Sequence, residues 1–145
     1  MAWLQREEWR KWGHGEKPSF LIAVKHWLDR DPGVQLDYVG SYGPHHWNVY
    51  AYIYPSHPRF NRFKGNDHYQ NATEDLPLHG GPTFLQYHFD KDMNVCAIQV
   101  GSDYGHSGDE YFSGAATNKD AREVFQDAEA LFNFLQQEVP TSEDK

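Results

Sequence analysis

Thr83 to Val100 reads TFLQYHFDKDMNVCAIQV, and its two halves alternate apolar with polar residues around Asp90-Lys91-Asp92. Period-two alternation on both sides of a short acidic turn predicts two antiparallel strands, Thr83–Phe89 and Met93–Val100. Beyond it, Asp120 to Leu135 changes period. Ala121, Val124, Phe125, Ala128, Leu131, Phe132 and Leu135 recur at helical spacing, and Asp120 with Glu123 resembles a capping box. Pro140 closes that helix. A hairpin followed by an amphipathic helix reads as α+β, an antiparallel sheet of about four strands covered by a long C-terminal helix.

Working back toward the N-terminus, Trp47 to Tyr54 (WNVYAYIY) is aromatic and β-branched and ends at Pro55, so it reads as a strand. Val34, Leu36 and Tyr38 alternate up to Gly40 and supply the fourth. Phe20, Leu21, Val24, Trp27 and Leu28 fall at helical spacing behind Ser19, an expected N-cap, and Asp31-Pro32-Gly33 ends that element. Residues 3–12 carry Trp3, Leu4, Trp9 and Trp12 and read as a short helix before Gly13-His14-Gly15. One or two N-terminal helices are thus expected against the sheet. Residues 55–81 and Gly101–Gly114 read as loops rich in glycine, proline and asparagine.

The chain has 145 residues, which fits a single domain over 1–145 with one core; residues 1–15 and 140–145 are expected to be loosely ordered. A lone cysteine, Cys96, forms no intrachain disulfide and reads as a small hydrophobe within a strand. The start lacks a basic-then-apolar leader and no apolar run reaches membrane length, so the expectation is a cytoplasmic protein, no membrane partner. The net charge of −8, without a dense Lys/Arg cluster, argues against general nucleic-acid binding. Nine Tyr, nine Phe and five Trp exceed what packing alone asks and suit a pocket that stacks flat rings. The oligomeric state stays open, a homo-oligomer included.

Candidate chemistry gathers where strands meet loops. In His79-Gly80-Gly81, followed by Thr83, two glycines let the backbone take positive φ or approach a bound group; a tight turn held by a structural histidine reads the same stretch equally well. Asp103, His106 and Asp109, with Gly108 among them, combine carboxylate and imidazole at a spacing of three, which permits a binding or acid/base role, or a loop tied by aspartate side chains. His57, before Pro58, is pushed to extended backbone and reads as a rim residue. The loops of His79 and His106 should meet at the end of the hairpin opposite its turn. No dinucleotide fingerprint, phosphate loop or nucleophile elbow is present, and no cofactor or metal is expected.

Four short segments, Trp47-Asn48-Val49-Tyr50, Pro55-Ser56-His57-Pro58, His79-Gly80-Gly81-Pro82-Thr83-Phe84 and Gly101-Ser102-Asp103-Tyr104-Gly105-His106-Ser107-Gly108-Asp109, occur in that order. Together they resemble a family of small proteins widespread in tailed-phage and prophage genomes. That family carries a Trp-Asn-Gly-Tyr-Val strand, a Pro-x-x-His-Pro turn, a His-Gly-Gly-x-Thr-Tyr segment and a Gly-Phe-Asp-x-x-His-x-Gly-Asp segment. The resemblance covers residues 47–135; Val49 stands where the family has glycine and Ser102 where it has an aromatic residue. It implies a phage-linked origin, hence a host cytoplasm, and weight on His79, Asp103, His106 and Asp109, and it brings no reaction with it.

Three functions are then in view. The leading one is a phage-type accessory protein that binds a small polar, nucleotide-derived ligand through His57, His79, Gly80, Gly81, Thr83, Asp103, His106, Gly108 and Asp109, and so sequesters a host signal. The second is a hydrolase or phosphodiesterase in which His79 and His106 divide acid and base work beside Asp103 or Asp109. The third is an acidic inhibitor of a basic host protein.

Overall fold

A computed structural model describes residues 3–29, 44–63, 73, 75–104 and 110–138. The strands are β1 (Trp3–Gly13), β2 (Phe20–Asp29), β3 (His45–Ile53), β4 (Phe84–Phe89) and β5 (Val95–Asp103); the helices are α1 (Phe60–Phe63), α2 (Glu110–Ser113) and α3 (Arg122–Gln137). The strands form one antiparallel sheet in the order β1-β2-β3-β5-β4. The α+β class and the C-terminal helix are as the sequence predicts, with five strands in place of about four. The strand expected at Val34–Gly40 lies outside the described residues.

The N-terminal third departs from expectation, because both predicted helices are strands. In β2 the run Phe20-Leu21-Ile22-Ala23-Val24 is buried throughout. Phe20, Ile22 and Val24 belong to the core beneath α3, while Leu21 and Ala23 are covered on the other face. A strand buried on both faces loses its alternation, and its apolar residues then satisfy helical spacing by coincidence. In β1 the period is broken by a bulge: Glu7 pairs with Lys25 and Trp9 with Val24, leaving Glu8 as the extra residue. Trp9 therefore packs against the core, while Trp12, paired with Leu21, stays about half exposed at 47%. The N-terminal segment is thus strand-paired from Trp3 onward, against the loose order expected there.

Helix α3 lies across β1, β2 and β3 and buries Val124, Ala128, Leu131, Phe132 and Leu135. The expected capping box does not form. Ala121 is the N-cap without a side-chain bond, and the preceding turn is tied instead by Thr117, whose Oγ1 accepts from the Asp120 N–H at 3.1 Å. Ser19 caps no helix either; it is buried beside His14, to whose Nδ1 its Oγ bonds.

The described part of the connection from β3 to β4 is not a simple loop. Phe60, Phe63, Thr73 and Leu76 are buried. Arg59, 2% exposed, makes paired bonds to Asp75 (2.9 and 3.1 Å) and to Glu138 (2.8 and 2.5 Å). Cys96, expected as a buried small hydrophobe, is exposed; it is the extra β5 residue at the pairing shift, where His88 pairs with Ala97 and Phe89 with Val95.

Candidate functional site

Strand parity assigns each candidate to a face. At the end of β5, Ser102 and, one residue past the strand, Tyr104 are buried on the side of α3, and Asp103 points to the face without a helix. That open face carries Trp27 from β2 and His46, Asn48 and Tyr50 from β3. With Asp103 and parts of Trp47 and Tyr104 they line a pocket of about 450 Å³. Its walls are mainly aromatic and its polar groups are an amide, a carboxylate, an imidazole and a phenol. Burial first, then the neighbouring Tyr52 and Asp103, raises the Tyr50 hydroxyl above its ordinary range, so it remains a neutral donor. The Lys25 ammonium stands 5.9 Å from the Tyr50 ring centre.

Gly101 makes the floor possible. Tyr50 lies over it, with Phe84 edge-on to Tyr50 at 5.3 Å, and a Cβ at position 101 would sit 2.5 Å from both the Tyr50 ring and the Val49 carbonyl. Gly101 is thus a strand residue beneath a ring, where the sequence reading opened a loop.

The histidine segments fall elsewhere. Gly80 and Gly81 take φ of 69° and 85°, as a glycine turn requires, and the Gly81 N–H donates to the Leu78 carbonyl at 2.9 Å. His79 leaves this turn to stack on Tyr104, with ring centres 4.2 Å apart and planes within 14°. The Tyr104 hydroxyl donates to Asp127 of α3 at 2.5 Å. Thr83 donates its N–H to the Gly101 carbonyl at 2.9 Å, and its Oγ1 accepts from the Asp103 N–H at 3.2 Å. The hairpin therefore brings the turn of His79 beside the end of β5, with His79 meeting Tyr104 on the helix side and Asp103 facing the opposite way. His106, Gly108 and Asp109 lie outside the described residues.

His57 is not at a rim. It is 1% exposed, its Nδ1 accepts from the Arg59 N–H and its Nε2 donates to the Leu135 carbonyl, both at 3.0 Å. Both ring nitrogens are spent on the fold. Burial holds its pKa below the ordinary imidazole value, with the Leu135 carbonyl and Glu138 pulling the other way.

Sequence reading missed Trp27, His46, Asn48 and Tyr50. The signal was present in part, since residues 46, 48, 50 and 52 form the polar and aromatic alternate of β3. Trp27 was hidden by the helical reading of its strand. Among the described residues, no three or more His, Cys, Asp or Glu side chains converge to hold a metal ion. No described helix is long and apolar enough to cross a membrane. No family model, curated protein or solved structure matches the chain.

Proposed function

We propose that the open-face pocket binds a small ring-bearing polar molecule of nucleotide type, and that the chain is a phage-type accessory protein that withholds this ligand from its host. The observation that carries the reading is the pocket itself, where Trp27 and Tyr50 stand beside Asn48 and Asp103 in about 450 Å³, a volume suited to a small ligand. A base stacked on an aromatic side chain gains about 1–3 kcal/mol. The Asn48 amide offers both donor and acceptor to a base edge, and the Asp103 carboxylate accepts from an amino group or ribose hydroxyl. Asp103 repels phosphate, so the phosphate end belongs on the Lys25 side.

Thermal unfolding with a panel of nucleosides, nucleotides and cyclic dinucleotides tests this. A true ligand at a hundredfold excess over its Kd should raise Tm by about 5–10 °C. Trp27→Ala and Asp103→Ala should each weaken binding at least tenfold. A panel that leaves Tm unmoved throughout would sink the reading. Chromatography of the recovered ligand separates a binder, which returns it intact, from a hydrolase.

A further inference from the structure

On the helix side of the same sheet end, the bulge in β1 turns Glu8 inward to a second group of titratable side chains. Glu8 Oε2 lies 2.9 Å from His26 Nδ1, and His26 Nε2 lies 2.8 Å from His45 Nδ1. The Glu8 and His26 side chains are only 8% and 7% exposed. Arg6 bonds the same carboxylate at 2.7 Å. The His26 ring lies flat on the Trp47 indole, centres 4.1 Å apart and planes within 6°, and Trp47 is fixed by its Nε1–H bond to the Ala115 carbonyl at 3.0 Å. We propose that Glu8, His26 and His45 form a proton relay whose outer end, His45 Nε2, is an acid/base site for a water or alcohol O–H.

The geometry allows two proton arrangements. In the resting one, His26 Nδ1–H donates to the Glu8 carboxylate, His45 Nδ1–H donates to His26 Nε2, and His45 Nε2 carries a lone pair. When an O–H gives its proton to His45 Nε2, the Nδ1 proton of His45 passes to His26 Nε2. The products are an alkoxide or hydroxide, a neutral His45 protonated at Nε2, and a His26 imidazolium. One proton enters, one is handed on, and no electron changes owner. The positive charge comes to rest between Glu8 and the face of Trp47, which both favour a cation. A bulge that re-aims one side chain is a device found beside active sites.

The charged and titratable groups next to the relay are Arg6 and Glu8 from β1, His26 from β2 and, behind His45 on the other face, His46 from β3. Burial, then His26 and His46, lowers the pKa of His45, which leaves its lone pair available near neutral pH. Burial raises the Glu8 pKa, but the bonds from His26 and Arg6 outweigh it and hold the carboxylate ionised. This site lies on the face opposite the ligand pocket and does not depend on it.

The test is nitrogen NMR of the histidine rings in the full chain across pH 4–9, in wild type, Glu8→Gln and His26→Gln. In wild type, His45 should be the Nδ1–H tautomer. Glu8→Gln removes the charge that stabilises the His26 cation, so the apparent pKa of His45 should fall by about one unit, a tenfold change in proton affinity. His26→Gln should free His45 to exchange its tautomer. Acylation by diethyl pyrocarbonate, followed by peptide mass spectrometry, should mark His45 several-fold more slowly in Glu8→Gln than in wild type. A His45 in the Nε2–H tautomer, or one whose titration and acylation are untouched by a folded Glu8→Gln, overturns the relay. If Glu8→Gln does not fold, the wild-type tautomer alone decides.

Discussion

The imidazole at position 57 ties two distant pieces of chain together. It accepts from the Arg59 N–H and donates to the last turn of α3, where the Leu135 carbonyl also takes the Glu138 N–H at 3.2 Å. His14 serves the next carbonyl, with its Nε2 3.1 Å from the Gln136 oxygen, and stacks on His57 at 5.3 Å. A second proton on His57 would face the Arg59 N–H and break that bond. Its folded pKa is therefore below its unfolded value, so the unfolded chain binds the proton more readily. The stability it supports is full above the unfolded pKa, near 6.5, and is lost as pH falls through the folded value. Tm should drop between pH 7 and pH 5, and a His57→Gln variant that folds should flatten that part of the curve. Arg59 offers a second test. Its removal as Arg59→Met takes its bonds from Asp75, which keeps Arg62 at 3.5 Å, and from Glu138; both carboxylates reach solvent, so the cost should be about 1–3 kcal/mol in denaturant unfolding, below that of a fully buried pair.

Among the elements, α3 was legible because it keeps one clean period and one buried face, and the β4–β5 hairpin because the Asp90-Lys91-Asp92 turn marks it, although Ala97–Ser102 is buried on both faces. Leu131 and Leu135 are fully buried in the stripe the sequence displays, and Leu131→Ala should cost about 2–5 kcal/mol in denaturant unfolding. The first two strands were not legible, for separate physical reasons. β2 is covered on both faces, and in β1 the extra residue, Glu8, interrupts the strand period ahead of Trp9. Trp27 of the pocket and both Glu8 and His26 of the relay sit on those strands, so these parts of the two sites were hidden with them. Asp103 was visible as a strand-end carboxylate, and the turn of His79 as a glycine pair, but the side of the sheet each would face depends on pairing. Gly101→Ala tests the floor of the pocket. The new methyl must displace Tyr50 or strain the Val49 backbone, so a loss of about 1–3 kcal/mol should accompany weaker ligand binding. Unchanged unfolding in that variant would mean Tyr50 has another place to lie.

Across the whole molecule, the strand order divides the sheet into two local units. The meander β1-β2-β3 pairs neighbours in sequence, and so does the hairpin β4-β5. The seam between them, where Ile53 faces Ile98 and Asn48 faces Asp103, closes over the entire connection through α1 and β4. Closing that span loses chain entropy before any seam contact repays it, so the seam forms late in folding. The proposed ligand pocket straddles it, with Trp27, Asn48 and Tyr50 on one bank and Asp103 on the other. A ligand there grips contacts still unmade at the rate-limiting barrier. Saturating ligand should therefore leave the refolding arm of a chevron plot nearly unmoved and slow the unfolding arm, about tenfold for each 1.4 kcal/mol of binding. On the proposed function, the captive would set the lifetime of its own cage.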